Sequence, residues 1–324
     1  MTASVYLFWA MTSRVMIRRA GPRHEPEGRA VIWHDPGEVE RLDLRAGPAG
    51  PDGAPAPPFK FLEEGPGSTS PKVEVEDARG RKWQLKFGGE VRSEPFATRL
   101  AWAAGYFVEP SYFVPGGTIE RVPELEYAAD FVHPDGSFEP ARFELKPKDV
   151  DKVDDEHSWA WDSNPFVGTR ELAGLKVVMM LTSNWDDKDV RDVSRGSNTA
   201  ILEVDIEDAE DEARYIVSDW GGSMGRWGAV VSRSKWDCAG YEEQTPNFVA
   251  GVTDGLVVWG YSGQRTEDLA SGVSVEDVRW IGGYLGRLTD AQLRDGLLAC
   301  GATGEEVECF VRSIRARLDQ LARV

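Results

Sequence analysis

The stretch Lys72 to Phe87, KVEVEDARGRKWQLKF, decides the fold. Lys72 to Glu76 (KVEVE) alternates apolar and polar residues, and Lys82 to Phe87 (KWQLKF) alternates again. Ala78-Arg79-Gly80-Arg81 between them supplies turn chemistry, so the stretch predicts a β-hairpin with one apolar face. Downstream, SEPFATRLAWAAGYF from Ser93 has helical periodicity, with Phe96, Leu100 and Ala104 on one face and Ser93 placed to cap it. Tyr112 to Val114 and Ala141 to Leu145 read as further strands.

From Thr169 the pattern turns helical (TRELAGLKVVMMLTSNW). A second hairpin is predicted over Thr199 to Ile206 and Ala213 to Asp219, joined by the acidic run Glu207 to Glu212, which reads as a solvated loop tip. Ser274, Thr289 and Thr303 each precede an apolar-periodic stretch, and Thr289/Gln292 and Thr303/Glu306 fit capping boxes. Val307, Phe310, Val311, Ile314, Leu318 and Leu321 form a stripe that suits a core-facing helix. The sequence thus divides into residues 1–58, a leader with a flexible linker; residues 59–150, a β-rich part; and residues 151–324, a helical part. The linker is RAGPAGPDGAPAPP, Arg45 to Pro58. Ala30 to Leu44 could add one short strand and a turn.

The chain has 324 residues and a net charge of −18, which disfavours a dedicated nucleic-acid binder but permits a local basic groove. With 41% hydrophobic residues, 12 Trp and 13 Phe it can fill a substantial core. Cys238, Cys300 and Cys309 are odd in number and show no C-x-x-C spacing, so a disulfide framework or zinc site is not expected. Val5 to Met11 is apolar but too short to span a bilayer, and its positive charges follow rather than precede it, unlike a secretory signal. It reads as a loose terminus or an early start codon, and a cytoplasmic location is expected.

Four short stretches could carry chemistry. Gly65-Pro66-Gly67-Ser68-Thr69-Ser70-Pro71-Lys72 is a Gly/Ser turn whose backbone N–H groups could approach phosphate, although most such stretches are plain turns. Lys86 ends the following strand, where a cation can hold nucleotide phosphates, and Glu94 could pair with it; a surface Lys and a dipole-favoured helix acid are the ordinary alternatives. Asn184-Trp185-Asp186-Asp187-Lys188 follows an apolar helix, offering Asp186 as base and Lys188 as a cation near the γ-phosphate, against the plain reading of a charged helix end. Ser218-Asp219-Trp220-Gly221-Gly222 follows a strand, a setting that suits either an Asp-initiated turn or an Mg²⁺ ligand.

Singly these signals are weak, but their order is that of a protein-kinase-like fold. Residues 65–113 resemble the nucleotide lobe of HipA-type Ser/Thr kinases: a Gly-containing turn with Pro-Lys, a strand ending in Lys, and an acid opening a helix that ends in Ala-Ala-Gly. Asn184-Trp185-Asp186 is similar to the N-x-D of HipA-type and phosphatidylinositol-kinase-like catalytic loops. The whole chain also resembles a group of uncharacterised bacterial proteins. The resemblance implies a bilobal α+β fold, β-rich N-lobe and helical C-lobe, binding ATP and Mg²⁺ and phosphorylating a hydroxyl of unidentified protein or small-molecule origin. It implies that Gly67, Ser68 and Lys86 hold phosphates, Glu94 orients Lys86, Asp186 with Lys188 serves catalysis and Asp219 binds metal. D-x-K-x-x-N expects Asn at 191, where the chain has Arg191; Asp192 or Asn198 would then be the second metal contact. That departure keeps a catalytically degenerate scaffold in play. A third reading takes Gly221-Gly222-Ser223-Met224-Gly225 as the G-x-S-x-G of a serine hydrolase, which needs a downstream His; His24, His34, His133 and His157 all lie upstream.

Overall fold

The structure is a computed structural model that describes residues 26–65, 70–146, 150–152, 159–186, 198–207, 209–263 and 267–324. The predicted hairpin forms as read: β3 (Lys72–Glu76) and β4 (Lys82–Phe87) pair antiparallel, with Val73 opposite Leu85 and Val75 opposite Trp83. They sit at the centre of a seven-stranded sheet. Its other members are β2 (Phe59–Glu64), β5 (Ser111–Val114), β6 (Gly117–Glu120), β7 (Ser137–Phe138) and β8 (Ala141–Lys146), in the order β5-β8-β4-β3-β2-β6-β7.

The alternation in the hairpin separates two faces. Val73, Val75, Trp83, Leu85, Phe87 and Phe143 are buried in one core with Phe59, Tyr112 and Phe138. The opposite face carries cross-strand rows of polar and charged residues: Lys72, Lys86 and Arg142 in one, and Glu74, Gln84 and Glu144 in the next. Helix α1 (Ser93–Ala103) is bonded to this charged face through Glu94 and Arg142.

The remaining residues form a mixed α/β assembly around a second, larger core. Strands β1 (Arg29–Val31), β9 (Val150–Lys152), β10 (Thr199–Val204) and β11 (Glu212–Val217) make a four-stranded sheet in the order β1-β11-β10-β9. Helices α2 (Arg170–Leu181), α3 (Cys238–Gln244), α4 (Glu267–Ala270), α5 (Val275–Leu285), α6 (Asp290–Ala299) and α7 (Gly304–Ala322) follow, with the hairpin β12 (Val249–Thr253) and β13 (Leu256–Trp259) between α3 and α4. Thr289 and Thr303 close the expected capping boxes, and the whole α7 stripe is buried. No described helix is long and apolar enough to cross a membrane.

Three findings depart from the sequence reading. Ser93 is the first residue of α1 rather than its cap, and its hydroxyl is used elsewhere. The described part of the leader, 26–58, is built into the molecule rather than hanging from it: β1 pairs parallel with β11, and the amide of Gln292 donates to the carbonyls of Val39 (2.7 Å) and Leu42 (2.8 Å). The Pro/Gly-rich segment satisfies its carbonyls on Arg81, which donates to Asp52 (2.9 Å), Gly53 (2.9 Å) and Ala54 (2.6 Å). Arg81 is itself held by Asp77, a buried carboxylate that also accepts from the indole of Trp83 at 3.0 Å. Finally, Cys238 and Cys309, 71 residues apart, are joined in a disulfide between α3 and α7, leaving Cys300 buried and free. Two cysteines without motif spacing give no sequence signal for such a bond, because only the packing of α3 on α7 brings them together.

Thiol titration of the denatured, unreduced chain should therefore find one reactive cysteine, and three after reduction; Cys309→Ser should cost about 2–5 kcal/mol in urea unfolding. Burial alone would raise the Asp77 carboxyl, but hydrogen bonds from Arg81, Trp83 and backbone N–H groups hold it at about 2, below its ordinary 3.8. A depressed carboxyl stabilises the fold above its unfolded pKa and loses that contribution as pH falls. The wild type should thus lose about 1–2 kcal/mol more than Asp77→Asn between pH 5 and pH 2.

Candidate functional site

The site builds up from the N-terminal end of α1. Glu90 and Glu94 lie one helical turn apart, with Glu94 N–H donating to the Glu90 carbonyl at 3.3 Å. Ser93 Oγ donates to the carbonyl of Gly221 at 2.8 Å, tying the start of α1 to the loop after β11. That loop carries Asp219, whose Oδ1 accepts from Gly221 N–H at 2.8 Å, a turn closed by an Asp side chain. A Cβ at 221 would lie 2.5 Å from Glu90 Cδ, so a side chain there would displace the Glu90 carboxylate. The result is a group of three carboxylates, Glu90, Glu94 and Asp219, with one oxygen of each within 4.8 Å of the others. Among the described residues this is the one such group.

Beside it lies the charged face of the sheet. Lys86 and Arg142 are directly opposite on β4 and β8, an arrangement that is repulsive unless carboxylates intervene. Two do. Arg142 forms an ion pair with Glu94, and both side chains are buried. Lys86 Nζ donates to Glu144 Oε2 at 2.9 Å, and Lys146 bonds the other oxygen of Glu144. Arg142 Nη2 also approaches Glu144 Oε2 at 3.6 Å. Burial alone would raise the Glu144 carboxyl, but Lys86, Lys146 and Arg142 hold it far below the ordinary carboxylate range. Glu90 follows the same logic: burial pushes it up, and the ammonium of Lys235 brings it below its usual value.

The third component is the loop after α2. Asn184 is fully buried and acts as a bracket: its amide nitrogen donates to the Asp219 carbonyl at 3.1 Å, and its Oδ1 accepts from Asp186 N–H at 3.1 Å. Trp185 N–H donates to the Gly222 carbonyl at 3.1 Å, and a Cβ at 222 would lie 2.9 Å from Asp186 Cβ. Asp186 and Asp219 are thus held on facing loops. Arg317 of α7 braces the base of this loop. Its guanidinium is fully buried and donates to the Leu181 carbonyl (3.0 Å), Ser183 Oγ (2.7 Å), Thr245 Oγ1 (3.0 Å) and the Tyr241 carbonyl (3.1 Å). It stacks on Tyr241 at 3.5 Å. Burial without a carboxylate partner pulls it down to about 10, so it stays charged at neutral pH.

No family model matches the chain, and no curated protein matches it by sequence. Among solved structures it is similar to a Golgi casein kinase with Mn and ADP bound. The TM-score is 0.36 and the identity 8%, over 87% of this chain and 75% of the other. A second structure of the Golgi casein kinase gives 0.35 and 9%, over 88% and 74%. Likeness at that level is too weak to carry an activity across.

Of the residues singled out from sequence, Glu94 and Asp219 meet in the carboxylate group, Lys86 lies on the charged sheet face, and Asp186 lies on the loop that Asn184 ties to Asp219. The structure corrects one pairing: Glu94 takes Arg142 and leaves Lys86 to Glu144, because Arg142 opposes Lys86 and itself engages the α1 carboxylate. Asn198 donates its amide to the Asp186 carbonyl at 2.6 Å. Gly67, Ser68, Lys188, Arg191 and Asp192 lie outside the described residues. Ser223 is fully buried with no partner for its hydroxyl, and the described histidines bond elsewhere, His34 to Asp35 and His133 to Glu139. No Ser–His pair for a hydrolase forms among the described residues. Sequence reading missed Glu90, although its spacing of four from Glu94 marks one helix face. It also missed Arg142, Glu144 and Lys146, which alternate along one strand in ARFELK.

Replacing Arg317 by Leu removes its hydrogen bonds to Leu181, Ser183, Tyr241 and Thr245 together, and it should cost about 3–5 kcal/mol in urea unfolding.

Proposed function

We propose that the chain is a kinase-like phosphotransferase with a bilobal arrangement, binding ATP and Mg²⁺ between a β-rich lobe around the hairpin core and a helical lobe around α2 and α7. The observation that carries the reading is the meeting of three carboxylates, Glu90, Glu94 and Asp219, beside the three cations Lys86, Arg142 and Lys146 that surround Glu144. Hard carboxylate oxygens in that number suit Mg²⁺ or Mn²⁺ rather than a softer metal, so the donor set fits the ion that nucleotide chemistry uses. Each carboxylate already has a protein partner, in Lys235, Arg142 and the Gly221 N–H. Their positions are thereby fixed before any ligand arrives.

In this reading Glu94, Asp219 and Glu90 hold the metal, which neutralises phosphate charge when bound. Lys86 holds phosphate oxygens from the strand side. Asp186 accepts the proton of the acceptor hydroxyl, and Asn184 keeps its loop against Asp219. Catalysis then rests on positioning and charge rather than on a covalent intermediate. A degenerate, nucleotide-binding scaffold is favoured by one feature: Arg191 replaces the Asn of D-x-K-x-x-N, and Asn198 spends its amide on a backbone carbonyl.

Calorimetric titration of Mg-ATP should give a saturable heat with the wild type and none with Asp219→Ala or Lys86→Ala, while thermal melts remain within a few degrees of the wild type. Heat from all three proteins would overturn the site. A scaffold would bind Mg-ATP but produce no ADP beyond the level seen with Asp186→Asn.

A further inference from the structure

We propose that Glu144 of β8 is the positioning residue for Lys86, so that the phosphate-facing lysine is set by a strand-to-strand ion pair rather than by the acid of helix α1. This rests on the nucleotide reading above. Four observations lead to it. Lys86 Nζ is 2.9 Å from Glu144 Oε2, and the Glu144 side chain is only 6% exposed. Glu144 lies one row along from Lys86 on the same sheet face, opposite Gln84 on β4 and Ser111 on β5, so its backbone is fixed on both sides. Arg142 lies directly across from Lys86 and engages the carboxylate of Glu94. Glu94 in turn belongs to the group with Glu90 and Asp219.

The chemistry divides accordingly. A lysine that holds phosphate must keep its charge and be restrained without being covered; the Lys86 side chain is 27% exposed. Glu144 restrains it in this way, because one oxygen faces Lys86 and the other is occupied by Lys146. Helix α1 is then free to place Glu94 toward Asp219, with Glu90 of the turn before it, instead of toward the lysine. The consequence is that movement of α1 would alter the carboxylate group and leave Lys86 in place.

The test reads the Lys86 amine directly. The full chain is pulse-labelled with acetic anhydride without nucleotide, and acetylation at Lys86 is followed by mass spectrometry in the wild type, Glu144→Gln, Glu94→Gln and Lys146→Met. Loss of the paired carboxylate frees the amine from its hydrogen bond, so Glu144→Gln should label about threefold faster or more. Glu94→Gln should label at the wild-type rate. Lys146→Met changes a partly exposed side chain and removes the cation competing for Glu144, so it should label more slowly and keeps the test available should Glu144→Gln fail to fold. ADP affinity with Mn²⁺, by calorimetry, should fall about tenfold or more in Glu144→Gln, the scale of one charge-assisted hydrogen bond. Lys86 labelling that responds to Glu94→Gln, or that ignores both Glu144→Gln and Lys146→Met, overturns the assignment. A wild type that binds no ADP overturns the nucleotide reading instead, whatever the labelling pattern.

Discussion

Arg142 is the constraint on which the site depends. It is buried on the sheet opposite Lys86, and a buried guanidinium must find carboxylates or stay costly. It takes Glu94 from helix α1 and approaches Glu144 on its own strand, and thereby fixes helix to sheet with a charge pair rather than with apolar contact alone. Everything around it follows from charge balance. Glu144 can be buried because Lys86, Lys146 and Arg142 surround it, and Lys86 can lie beside another cation because Glu144, one row along, pairs with it. Removing Arg142 would leave Glu94 buried without its cation, whereas Glu144 would keep Lys86 and Lys146.

The other half of the site is held by neutral groups. Arg317 has no carboxylate among its hydrogen-bond partners; carbonyls and hydroxyls satisfy it, and aromatic rings cover it. It fixes the end of α2, so Asn184 emerges at the right place to bracket Asp219 and Asp186. Two glycines complete the approach. At 221 and 222 a Cβ would meet Glu90 and Asp186 respectively, so the D-W-G-G run is read best as a clearance requirement between two loops and a helix. The disulfide acts further along the same segment. It joins α3 to α7 next to Trp236, whose indole donates to Glu306, and Lys235, whose ammonium meets Glu90.

How much of this was legible in the sequence depends on the range of each interaction. The hairpin Lys72–Phe87, the α7 stripe and the capping boxes are local patterns, and they form as the periodicity says. The order Lys86, Glu94, Asp186, Asp219 was legible as a motif, yet the partner of each residue was not, because partners are set by strand register and helix placement. Lys86 and Glu144 are 58 residues apart, and Arg317 and Ser183 are 134 apart. The Pro/Gly-rich segment misled for a related reason: its composition lacks large apolar residues, and it is fastened by its carbonyls to Arg81, which composition does not reveal. The cysteines misled because spacing rules describe metal and redox motifs, whereas this pair is brought together by two packed helices.

Net charge gives the last step. A chain with 55 acidic and 37 basic residues repels polyphosphates over most of its surface. The sheet face is an exception in which three cations share one buried carboxylate. Adjacent to it, the carboxylates Glu90, Glu94 and Asp219 would repel a free nucleotide at close range, where screening by salt is weakest. Both features are reconciled by a ligand that arrives with its own divalent cation, negative toward the lysine row and positive toward the carboxylates. Bare ATP, inorganic phosphate or a carboxylic acid meets only the first requirement, and a free metal ion meets only the second. Under the proposed reading, the two charge regions together would favour a metal–polyphosphate pair over either component and would make binding of each depend on the other.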